Sequence, residues 1–127
     1  MKRRILAVLA AAACGAATVE AHHALAIVYA MDKTETIEGD LMELRWQNPH
    51  SLVLVNVRDR TGAVLRYSVE WEASLQLTHQ GVTRQTLKVG DHLIITGNPG
   101  RRPGDHLLRL RTIFRPKDSW RWRGAFE

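Results

Sequence analysis

Three histidines stand where their type and spacing could do chemistry. His22 and His23 are adjacent, and His50 closes the stretch Arg45-Trp46-Gln47-Asn48-Pro49-His50. What precedes His22 reads as an export leader, residues 1–21. Lys2-Arg3-Arg4 is a positive start, Ile5 to Ala13 is an uncharged apolar run, and Val19-Glu20-Ala21 is a small-x-small cleavage signal. Cleavage after Ala21 makes His22 the first residue of an exported, periplasmic protein. An amino-terminal His offers its α-amine and its ring Nδ1 to one metal ion in a single chelate ring. One further imidazole completes a three-nitrogen set suited to copper, the divalent ion such sites hold most tightly. His50 is the expected third ligand and His23 an added donor, with Asn48 or Glu72 expected to steady an imidazole from behind. The plain alternative is an exposed chain end at His22-His23 and a His50 that only caps a corner.

A second candidate, from another class, is a metal-free groove around Trp46, Asn48 and Trp71 that takes a protein or envelope component. Its bland counterpart is that both tryptophans are core, since each buries ~150–250 Å², and that Asn48-Pro49 is a turn. Glu70 and Glu72 share a strand face and are expected to be solvated beside arginines. No Ser/His/Asp order, phosphate-binding Gly loop or paired-Cys zinc motif occurs. A binding or accessory role is therefore expected, not an enzyme. His79, His92 and His106 are expected at the surface or in loops.

Elements that could position these residues follow from periodicity. Residues 22–33 (His22 to Lys33) read as an extended N-terminal arm, from Ala24-Leu25-Ala26-Ile27-Val28-Tyr29. Residues 34–115 carry five strand-like segments. The first, Thr34 to Trp46, alternates until the phase slips near Met42-Glu43, which predicts a bulge. Leu52–Arg58 follows the corner, Asp59-Arg60-Thr61-Gly62 marks a hairpin, and Val64–Glu72 is the third strand. Ser74 is expected to cap a short helix ended by Gly81. His92–Thr96 and His106–Arg115 complete the set around an exposed loop, 98–105. This order predicts an all-β domain with one short helix: a five-stranded, OB-fold-like closed barrel. An open β-sandwich is the runner-up, disfavoured because it exposes strand edges.

The chain has 127 residues, enough for one domain. Losing residues 1–21 removes three cations and Glu20, so the formal net charge falls from +5 to +3. The single cysteine, Cys14, lies in the leader, so the mature domain has no disulfide. Ala11-Ala12-Ala13-Cys14 is a rival lipoprotein signal, anchoring the chain at Cys14. Residues 116–127 read as a basic aromatic tail. There Trp120-Arg121-Trp122-Arg123 suggests peripheral contact with an anionic membrane, or one Trp packed on the barrel beside solvated arginines. Export argues against nucleic acid as the target.

Several of these residues together resemble a family of small exported bacterial proteins known as a domain of unknown function, DUF6152. They are Ala21-His22-His23, Trp46-x-Asn48-Pro49-His50, Asp59-x-x-Gly62, Glu70, Gly81-Val82-Thr83 and Leu87-x-x-Gly90-Asp91 followed by Gly97. The resemblance implies an exported OB-like barrel and no particular reaction. The Ala24-Leu25-Ala26 arm and the Trp/Arg tail depart from the family pattern.

Overall fold

Ile37 and Leu41 are buried while Glu38 and Asp40 are exposed, so strand β1 (Glu35–Arg45) has one face for a core and one for water. A computed structural model describes residues 23–125. Met42 is the extra residue of a bulge in β1, since Leu41 pairs with Val55 and Glu43 with Leu54. The curl lets β1 serve two antiparallel neighbours. Its first half pairs with β4 (His92–Pro99) and its second with β2 (Leu52–Arg58). Gly39 lies where the two halves meet, and a Cβ there would collide with the Asn56 carbonyl oxygen.

A tight turn joins β2 to β3 (Val64–Glu70). Asp59 Oδ1 accepts from the Thr61 amide at 2.8 Å and the Thr61 hydroxyl at 2.6 Å, while Gly62 takes φ +86°. Strand β5 (Leu107–Arg115) runs antiparallel to β4 and parallel to β3, with Ser68 opposite Leu107. That last pairing closes the sheet. The result is a mostly β protein with a closed five-strand barrel, small helices and no open-sandwich edge between β3 and β5.

Val53, Val55, Val69, Leu93, Ile95 and Leu108 are fully buried inside the barrel. Each such side chain contributes roughly 1.5–3 kcal/mol by leaving water. Helix α2 (Ser74–His79) lays Leu77, also fully buried, against this core. Just before β4, Asp91, 4 % exposed, accepts from Arg115 Nη1 at 2.7 Å and Lys117 Nζ at 2.6 Å.

Four details differ from the sequence reading. The arm is not extended at its start: residues 23–28 are helical (α1), as Ala and Leu favour, and Tyr29 then bridges to Gly100. Ser74 is not the cap of α2; Ala73 holds that place, with no side-chain bond of its own. Asn98 is not in the exposed loop but in β4, 1 % exposed, donating to the Met31 and Lys33 carbonyls. Part of the supposed tail is a sixth strand, β6 (Trp120–Arg123), paired with β5 from Thr112 to Arg115. It occupies the length of β5 that β3 leaves uncovered.

Candidate functional site

The corner between β1 and β2 is held from three sides. Ser51, fully buried, donates its hydroxyl to the Gln47 carbonyl at 3.2 Å. Its backbone extends the β2–β3 ladder past Glu70, through Ser51 N–H to Glu72 and Trp71 N–H to Ser51. Asn48 reaches the first turn of α2, where Oδ1 accepts from the Ser74 hydroxyl at 3.1 Å and the Leu75 amide at 3.4 Å. These bonds serve donors that a helix start leaves open. The Asn48-Pro49 peptide is cis.

So fixed, the corner carries His50 to the end of β3. Its Nδ1 lies 3.5 Å from Glu70 Oε1, an ion-pair distance, with the ring about half exposed. The other carboxylate oxygen, Oε2, accepts from the Tyr29 hydroxyl at 2.8 Å. One carboxylate thus ties the corner to the arm. Tyr29 is itself buried, and burial together with its bond to Glu70 raises its phenol well above the ordinary range. The phenol therefore stays a donor. Arg109, opposite Glu70 in the β3–β5 register, adds a cation nearby.

The Glu70 carboxylate is at ion-pair distance from Nδ1, on one side of the ring. A metal-binding His commonly has a carboxylate near one ring nitrogen and gives the other to the ion. Among the described residues no group of three or more His, Cys, Asp and Glu could hold a metal ion. His22 lies outside the described residues, and His23 is exposed at the start of α1.

The expected steadying residues are reassigned. Neither Asn48 nor Glu72 reaches His50 in the described contacts: Asn48 serves α2, and Glu72 accepts from Gln80 Nε2 at 2.8 Å. Glu70, expected to be solvated, takes that place. Trp71, 2 % exposed, cannot line a groove; its ring meets Trp122 edge-on at 5.3 Å. Trp46 is partly buried against the same core. Trp122 is 7 % exposed and donates from Nε1 to Gln80 at 2.8 Å, while Arg121 and Arg123 face outward. Tyr29 was the residue that sequence reasoning missed. Its signal was weak: a lone tyrosine ending an apolar arm.

Fold and corner together define a small closed β-barrel whose amino-terminal arm is tied to the β1–β2 turn by a shared carboxylate. The family model described as "Family of unknown function (DUF6152)" matches residues 9–108. The chain belongs to that family. No curated protein matches it.

Proposed function

We propose that this is an exported, periplasmic accessory protein, a barrel of the OB type that binds copper. Closure in the order β1-β2-β3-β5-β4, with a helix between β3 and β4, supports the OB reading. The leader-like residues 1–21 support export, with His22 as the first residue. Copper is held by the His22 α-amine and ring and by His50, with His23 adjacent.

One observation carries the metal reading: Tyr29 and His50 touch the two oxygens of the same carboxylate, Glu70. Tyr29, at the end of the arm that follows His22 and His23 in the sequence, is thus held near His50, which supports the reading. Tyr29 is seven positions after His22 in the sequence, and seven steps at helical rise span ~10 Å. The reading requires that this length lead back to the exposed side of the His50 ring.

Copper titration by calorimetry tests this on three proteins: one beginning at His22, one with an alanine added before it, and one carrying His50→Ala. The first should bind one ion, and the other two should lose roughly a hundredfold or more in affinity. Equal affinity in all three would remove copper from the account and leave the barrel as an exported module of other purpose.

A further inference from the structure

A cavity of about 270 Å³ opens between the arm, the start of β1, β3 and the β4–β5 connection, and the metal reading makes no use of it. Lys33, Arg101 and Arg102 line it with positive charge, against the single carboxylate of Glu35. That carboxylate is occupied, accepting from the Tyr67 hydroxyl at 2.9 Å. Burial and this bond push the Tyr67 phenol up to about 12, so it remains a neutral donor at ordinary pH. Arg102 pairs with Asp105 at 2.9 Å, and Arg101 donates from Nε to the Ala26 carbonyl, which fixes its stem and leaves the terminal nitrogens of its guanidinium. The lining is cationic on balance.

The wall of the cavity is mixed, and two rings stand in it. The Tyr67 ring lies 5.2 Å from that of His106, tilted by 47°. His106 Nδ1 is buried with no partner among the described residues, an uncommon state for a polar atom. Its backbone adopts φ 47°, a left-handed conformation that costs a non-glycine residue free energy. Contacts on both sides hold it there: Ser68 N–H donates to its carbonyl at 3.0 Å, and its own N–H points to Pro103. Strain maintained by surrounding bonds gathers at ligand clamps.

We propose that this mouth binds a small organic anion, a carboxylate on a ring or short chain. The charged head meets Lys33 and Arg101, and the body lies on Tyr67. Size agrees: an enclosed cavity of about 150 Å³ takes benzene, and this open-mouthed one of about 270 Å³ has room for a ring with a charged substituent at its mouth. Attraction between unit charges near a protein surface is worth enough to separate an acid from its neutral amide.

The test titrates the isotopically labelled protein with sodium benzoate, and with benzamide as the neutral isostere, following backbone amide shifts. Benzoate should give saturable shifts centred on Gly100, Arg101 and Leu107. Benzamide should bind roughly tenfold more weakly or worse, and Lys33→Glu should weaken benzoate by a similar factor. Lys33 is exposed, so an unchanged spectrum elsewhere verifies that the variant folds. The proposal is overturned by no saturation at about 50 mM benzoate, by equal binding of the two probes, or by unchanged binding in a folded Lys33→Glu protein.

Discussion

His92 shows how far a register can organise charge on an exposed face. It pairs with Asp40 across β1 and β4, and its two ring nitrogens each lie 2.8 Å from a carboxylate, Nε2 from Glu38 and Nδ1 from Asp40. The Glu38 bond and then the Asp40 bond raise its pKa above the ordinary value of 6.5. A raised value favours the cation in the folded state. The stabilisation is full below the unfolded pKa and is lost as pH rises through the folded one. A proton NMR titration should therefore place the His92 midpoint above 6.5, with Glu38→Gln combined with Asp40→Asn returning it toward that value. A native midpoint at or below 6.5 would contradict the clamp. At this scale the sequence was uneven. The position of His50 was legible because Asn-Pro marks a turn and a strand begins two residues later. Glu70 and Tyr29 were not, because their meeting depends on an arm that crosses β3 from 41 residues away, and no local pattern encodes that. His92 was read as a lone surface residue for the same reason.

Among the elements, the number of barrel strands and the bulge were legible from alternation: the phase slip at Met42 is where the register shifts, whereas β4 runs three residues past the expected Thr96. The arm was misread because apolar β-branched residues at its end outweighed Ala24-Leu25-Ala26 at its start. In the last element, one Trp packed on the barrel beside exposed arginines was expected and Trp122 does pack there, but the strand itself was missed because Trp-Arg-Trp-Arg looks like an irregular surface segment by composition. Its alternation is in fact that of an edge strand, with Trp122 inward and Arg121 stacked 4.1 Å over Phe114. Trp122→Ala should cost about 3–5 kcal/mol in urea unfolding, as for other large aromatic deletions in a core. A loss below about 1 kcal/mol would return residues 120–123 to the status of a tail. It follows that trimming the chain at residue 117 removes part of the core. Such a truncation reports on stability before it reports on any surface contact of the arginines.

Across the whole molecule, acid stability depends on the turn before β4 and its bonds to β1 and the end of β5. Gly90 N–H donates to the Leu41 carbonyl and Leu41 N–H to that of Asp91, so the turn before β4 rests on the bulge. Burial would raise the Asp91 carboxyl. Bonds from Lys117, the Lys88 amide and Arg115 outweigh it and hold the pKa at about 2, against 3.8 unperturbed. A depressed value contributes stability above the unfolded pKa, on the order of 2 kcal/mol, lost as pH falls from about 4 through 2. Asp91→Asn should weaken the protein at neutral pH by about 3 kcal/mol, because Arg115 then stays buried and unneutralised by it. It should also flatten the pH dependence of stability between 4 and 2; an identical slope in both proteins would contradict this. The barrel as a whole was legible from strand order and the wish to close edges. The central claim, a copper ion shared by the chain's first histidine and the Asn-Pro-His turn, is tested most directly by counting nitrogens. Pulsed EPR of the copper-loaded protein beginning at His22 should show three bound nitrogens, falling by one imidazole in His50→Ala. A spectrum unchanged by that substitution would contradict the account.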